Sequence, residues 1–216
     1  MDGTDQPGEP RRGRPAKRDA ITRAARTVFG RDGYARTTTD AIAREAGVST
    51  RTLYKHFPSK ERLFTTVLAE SATVVADAFV DQVERGMRAG AGLEDRLAVI
   101  GRALVAHRAE FPEHFALVRM IDVEGPHFPA ELREEWQEAG RRRVRREIAH
   151  RLQELAAEGL LRVTDPERAA LHLIALTTFE SEVRAEEGEP PTPEEITEMV
   201  TAGVRVFLHG YRTPQG

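Results

Sequence analysis

The sequence predicts an all-α protein, with a small three-helix helix-turn-helix domain followed by a helical bundle and about nine helices in all. Three observations predict it. From Glu61 onward the apolar residues recur at the i, i+3, i+4 spacing of a single helix face, and no segment alternates with the period of a half-buried strand. Glycine, proline and capping residues punctuate those stripes at helix-length intervals. Between Thr38 and Phe64, TTDAIAREAGVSTRTLYKHFPSKERLF compresses a helix, a glycine turn, a second helix and the start of a third into very little chain.

The elements follow in order. Residues 1–14 read as a disordered arm with a basic end. Its Arg12-Gly13-Arg14-Pro15 has the chemistry of an extended arginine pair that enters a minor groove, or of a tail that only adds phosphate affinity. Residues 17–31 form a first helix on the stripe Ile21, Ala24, Ala25, Val28 and Phe29, ended by Asp32-Gly33, and Tyr34 packs back onto the domain. Thr38 or Thr39 caps a second helix with Ile42, Ala43 and Ala46 on its inner face. Gly47 makes the turn, where a positive φ carries no Cβ clash. Ser49 or Thr50 caps a third helix, Leu53 faces inward, and Pro58 stops the helix.

A fourth helix is expected from Ser59 to about Gly86, broken by Gly90-Ala91-Gly92, with further helices over 93–110 and 112–123. One long charged helix is expected over 129–159. Thr164-Asp165-Pro166 starts a helix ending near Gly188, with proline in the first position. Thr192-Pro193-Glu194-Glu195 has the spacing of a capping box and opens the last helix, to about Gly210.

Composition narrows the function. The 216 residues contain no cysteine, which excludes disulfides, thiolate metal sites and cysteine nucleophiles. No apolar run is expected to reach the roughly 18–20 residues of a membrane span, and the polar N-terminus lacks a signal-peptide core. The net charge of −3 conceals a division: residues 10–60 hold 13 Lys/Arg against 4 Asp/Glu, and residues 61–216 hold 19 against 28. Such asymmetry suits a basic module on nucleic acid joined to an acidic body. No G-x-S-x-G, P-loop, G-x-G-x-x-G or H-E-x-x-H is present, so no enzyme is expected.

The third helix carries the candidate DNA contacts. Thr50, Arg51, Thr52, Tyr54, Lys55 and His56 place donors, charge and an aromatic hydroxyl on about two turns, matching the acceptors of a major groove. Thr38, Thr39 and Ser49 sit at the flanking helix starts, and Lys60 in the first turn of the fourth helix is a phosphate candidate. His56 alternatively serves as a local cap. His107, His114, Asp122, Glu124 and His127 contain metal-ligating types, but their spacing fits no ligand pattern, and no metal or other cofactor is expected. Arg141–Arg146 reads as a solvated helix face paired at i,i+4 with flanking glutamates.

The pattern TT-x-x-x-A-x-x-AGVS-x-x-TLY-x-HF-x-SKE-x-L resembles the N-terminal domain of the TetR family of bacterial transcriptional regulators, over roughly residues 15–75. Arg51 departs from it, standing where many members have glycine. The resemblance implies a cytoplasmic bacterial repressor that binds a double-stranded, palindromic operator as a homodimer and releases it on binding a small-molecule effector. It makes Tyr54, His56 and Lys60 phosphate contacts, leaving Thr39, Thr50, Arg51 and Lys55 for the groove. Residues 76–216 then form the regulatory and dimerisation domain.

The effector pocket is expected among the middle helices, with Phe115, Trp136, Leu173, Leu176 and Phe179 as apolar lining and His114, Arg119, Thr177 and Glu180 as polar groups. The last two helices would supply the dimer interface through Val183, Ile196, Met199, Val200, Val204 and Phe207. An architectural, effector-independent DNA binder is the alternative.

Overall fold

A computed structural model describes residues 13–89, 92–124 and 128–212; Arg12, His127 and most of the expected arm lie outside them. Ten helices are present among the described residues: α1 (Gly13–Arg36), α2 (Thr39–Glu45), α3 (Thr50–His56), α4 (Lys60–Ala89), α5 (Leu93–Glu110), α6 (Pro112–Glu124), α7 (Ala130–Ala139), α8 (Arg141–Ala157), α9 (Pro166–Glu186) and α10 (Pro193–Tyr211). Two compact units result, one running up to Leu68 together with Ala116–Arg133, the other comprising Ala69–Phe115 and residues from Glu134 onward. The only pairing outside helices among the described residues is an isolated bridge between Leu161 and Arg212.

In the first unit α1 starts at Gly13, so the backbone of Arg14 is helical rather than part of an extended arm. Helical geometry breaks at Gly33, whose φ of 77° is open to glycine. Ile21, Ala25, Val28 and Phe29 on α1 meet Ile42, Leu53 and Phe57 in a buried core. An aromatic cluster completes it: Phe29, Tyr34, Phe64 and Phe128 lie 4.9–5.9 Å apart, in stacked and edge-on pairs. Tyr34 thus packs back as its position after the α1 break requires.

The second unit is a bundle whose core joins Phe79 and Val83 on α4, Leu97, Ile100 and Ala103 on α5, Ile148 and Leu152 on α8, Leu173 on α9, and Val200, Val204 and Phe207 on α10. Glycines set two of its crossings. A Cβ on Gly203 would stand 2.0 Å from the carbonyl oxygen of Leu176, and one on Gly101 would stand 2.6 Å from the Val200 side chain. The α9–α10 and α5–α10 approaches therefore depend on the missing side chains.

Two expectations change. The helix over 129–159 is two helices: Gly140, with φ −118° and ψ −92°, breaks it, and a Cβ there would meet that of Ala72 at 2.9 Å. Contact with α4 and the bend share one residue. The apolarity of α4 was underestimated too, since residues 60–88 are long and apolar enough to cross a membrane. Leu63, Phe64, Val67, Leu68, Val75, Phe79 and Val83 are nevertheless buried inside the protein, so that apolarity is committed to the core.

Candidate nucleic-acid interface

The geometry of α2 and α3 follows from their caps. Thr38 accepts from the Ala41 amide at 3.2 Å and Ser49 from the Thr52 amide at 3.2 Å, so the first alternative holds at each helix start. Gly47 turns the chain at φ 65°, and the Val48 amide closes the turn onto the Ala43 carbonyl at 2.9 Å. Two side-chain pairs then fix α3 against α2: the Thr50 hydroxyl donates to Asp40 at 2.6 Å, and the Thr39 and Tyr54 hydroxyls lie 3.1 Å apart. Buried Leu53 fastens the inner face. Arg51, Tyr54 and Lys55 remain exposed, while Thr50, Thr52 and His56 are half-buried.

This sorts the expected contacts. Arg51 and Lys55 present charge to solvent from a helix whose angle is held by its neighbours, as groove-reading side chains require. Thr39, Thr50 and Tyr54 share hydrogen bonds that set that angle. Lys60 has a structural role besides the expected one. Its ammonium donates to the carbonyls of Tyr34 at 3.0 Å and Thr37 at 3.1 Å and lies 4.2 Å from the Tyr34 ring centroid. Two of its three donors tie α4 to the turn after α1, so its first role is structural. Tyr34 also donates to Glu61 at 2.9 Å. That bond contributes to holding the Glu61 carboxyl below its usual range, after backbone and Ser59 hydrogen bonds.

With this geometry in place, comparison with known proteins is decisive. Residues 21–67 match the family of bacterial regulatory proteins of the tetR family, and residues 95–213 match the AefR-like transcriptional repressor C-terminal domain. The chain belongs to the TetR family of transcriptional regulators. A TetR-family chain from Mesorhizobium loti MAFF303099 is 29% identical, covers 95% of this chain and 100% of its own, and superposes with a TM-score of 0.81. The flavonoid-responsive regulator FrrA is 31% identical, covers 93% of this chain and 100% of its own, and has a TM-score of 0.73. The nucleoid occlusion factor SlmA of Aliivibrio fischeri (strain MJ11) is 44% identical over 52 residues, 24% of this chain and 26% of SlmA. The chain thus spans about a quarter of the length of the curated relatives it matches.

As a TetR-family regulator the protein has a fold of transcription factors rather than of enzymes. The expected pocket residues on α9 divide between the core and the surface. Leu173 and Thr177 are buried in the core, the Thr177 hydroxyl donating to the Leu173 carbonyl at 2.8 Å. Leu176 and Phe179 point outward, Phe179 being 67% exposed, and Glu180 is exposed beside them. Arg119 belongs to the first unit. Phe115, His114 and Trp136 remain: the His114 and Phe115 rings are 5.1 Å apart, and His114 Nδ1 lies 3.1 Å from the Ser71 hydroxyl.

The dimer residues need correction as well. Val200, Val204 and Phe207 lie in the bundle core, Phe207 only 1% exposed and stacked 4.4 Å from Tyr211, so no partner chain could reach them. Ile196 packs partly against that core, and Met199 and Val183 are half-buried. The exposed apolar residues of these helices are Leu171, Leu176 and Phe179 on α9 and Val206 on α10.

The arginine block pairs differently from expectation. Because Gly140 separates α7 from α8, Arg142 bonds Glu134 across the break and Arg146 reaches Glu138; Arg143 pairs with Asp77 on α4 and Arg145 with Glu167 on α9. Arg142 also keeps the expected i,i+4 pairing with Glu138 at 3.6 Å, the other contacts run between helices, and their exposure limits each to about 0–1 kcal/mol. The candidate metal histidines have separate partners, since His107 Nε2 lies 3.0 Å from Gln82 Oε1 while His114 meets Ser71.

Burial, seconded by the charge of Arg141, pushes His114 down to about 4 from its usual 6.5. The unfolded chain therefore binds a proton that the folded chain refuses between these values. Stability is unaffected above pH 6.5, falls as pH drops through the window, and levels off below about 4. Full protonation costs about 3 kcal/mol. His114→Gln should flatten the decline between pH 6.5 and 4.5 in urea unfolding. His107, also pushed down by burial, adds to the decline in the same range, while Glu61, Glu158 and Glu195, all held low, act only below it. An unchanged slope in the variant would show that His114 does not cause it.

Proposed function

We propose that this protein is a cytoplasmic, ligand-responsive repressor that binds a palindromic operator as a homodimer. The outward face of α3 carries the reading, since Arg51 and Lys55 extend from a helix locked by Thr50–Asp40 and Thr39–Tyr54. Two such helices in a dimer would enter major grooves one turn apart, about 34–36 Å. The exposed Leu171, Leu176 and Phe179 of α9 and Val206 of α10 support the dimer, because large apolar side chains left open on adjoining helices suit an interface. The flavonoid response of FrrA, a relative matched over nearly the whole chain, supports an effector for this protein and makes phenolic compounds the first to try. Ligand and operator would then weaken each other's binding by one shared factor, typically about 5–150-fold.

Arg51→Ala tests the DNA reading. A bidentate arginine–guanine contact is worth about 1–3 kcal/mol, so operator affinity should fall roughly 5–150-fold with little change on scrambled DNA. Lys55→Ala, if Lys55 meets phosphate, should weaken both alike and reduce the salt slope by about one. Gel shifts on both duplexes at two salt concentrations decide. Equal losses on both duplexes for Arg51→Ala would rule out base reading by α3.

A further inference from the structure

Among the described residues two buried side-chain nitrogens lack a hydrogen-bond partner, Arg26 Nε in the first unit and Trp136 Nε1 in the second. Trp136 is only 3% exposed, and an indole N–H can do nothing but donate. A buried donor left without an acceptor is unfavourable and rare in folded chains. A positive charge lies beside it. The Arg141 guanidinium carbon lies 5.0 Å from the Trp136 ring centroid. Gly140, between these residues, is pressed against Ala72 of α4, next to Ser71 and hence to His114. Glu134 and Glu138 of α7 are engaged by Arg142 and Arg146. If Ser71 donates to His114 Nδ1, the ring proton sits on Nε2 and gives a second donor. Phe115, edge-on to His114 at 5.1 Å, and the Trp136 ring add apolar surface.

We infer that Trp136 Nε1–H, with the positive charge of Arg141 and the His114–Ser71 pair, receives the oxygen anion of a small organic acid or phenol whose apolar body lies against Phe115 and the Trp136 ring. The inference rests on the ligand-responsive reading above and gives that ligand its chemical class. With Ser71 donating to His114 Nδ1, the neutral histidine, the donor-only indole and the guanidinium present donors and positive charge, which an oxyanion bound at Trp136 Nε1 meets and a cation does not. Carboxylates and phenolates share that chemistry.

Trp136 is the only tryptophan, so the full-length protein has one indole N–H resonance. It is titrated with 4-phenylbutyrate and with naringenin, each beside a neutral counterpart, the carboxamide and the methyl ether. At least one of the two acidic compounds should shift the indole proton downfield, and its counterpart should bind at least tenfold more weakly. Trp136→Phe, which keeps a ring but no donor, and Arg141→Gln should each remove most of that preference. Trp136→Phe also removes buried ring volume, so a modest fall in melting temperature is expected and the ligand preference is the readout. The inference is overturned if neither compound moves the resonance, if the capped forms bind equally well, or if both variants keep the preference. A compound that weakens operator binding with the indole resonance unmoved overturns this site and leaves the ligand-responsive reading standing. A compound that moves the resonance without changing operator affinity supports the site and removes that reading instead.

Discussion

Gly203→Ala is expected to lower the free energy of unfolding by about 3 kcal/mol, at the upper end of what overpacking costs. In a helix interior the same change would ordinarily stabilise by nearly 1 kcal/mol through propensity alone. Here the new Cβ would stand 2.0 Å from the Leu176 carbonyl oxygen and 2.7 Å from its carbon. Both atoms are α9 backbone, so no rotamer change relieves the overlap and the two helices must part. Parting them loosens Val200, Val204 and Phe207, which sit in the same core. Gly210 is the control, because a Cβ there meets nothing within 4 Å. Urea unfolding should place Gly210→Ala at or above the parent and Gly203→Ala well below it. Equal midpoints for the two variants would mean that α9 and α10 do not cross at Gly203.

The DNA-reading unit could be read from sequence because local rules decide it. Thr38, Gly47, Ser49 and Pro58 fix helix ends through capping and backbone geometry, which act within a few residues. Arg51 and Lys55 then face outward because Leu53 must face inward. The structural role of Lys60 was not legible because its partners, the carbonyls of Tyr34 and Thr37, are more than twenty residues away in sequence. The long helix over 129–159 failed at Gly140, where a contact with Ala72 prevails over the helix-forming residues on either side. Isolated glycine within a helical stripe often has such a packing cause.

The inward side of α9 and α10 was not legible for another reason. Helix α9 is apolar on more than one side, with Leu173 and Thr177 inward and Leu171, Leu176 and Phe179 outward, so periodicity cannot say which side meets the core. One sequence feature could have resolved α10. Its inward stripe of Val200, Gly203, Val204 and Phe207 includes a mid-helix glycine, and a glycine there points at the neighbour that comes closest.

Phe179→Glu is expected to yield a folded monomer that binds operator about 10²–10⁴-fold more weakly than the parent. Phe179 is 67% exposed in the single chain, so a carboxylate there has water around it and leaves the bundle core untouched. In the proposed dimer the same carboxylate would be buried twice, once from each subunit, against Leu171, Leu176 and Val206 of the partner face. An unpaired charge in an apolar interface carries several kcal/mol of desolvation cost, enough to separate the subunits at micromolar concentration. Each monomer would then hold one half-site without the effective concentration that a linked second reading head supplies, which accounts for the stated loss. Phe207→Glu is the contrast. That ring lies in the core against Tyr211, so its variant should unfold rather than dissociate cleanly. Sedimentation equilibrium, far-ultraviolet circular dichroism and operator gel shifts separate the cases. A Phe179→Glu protein that sediments as a dimer and binds operator normally would place the interface elsewhere than on the exposed side of α9 and α10.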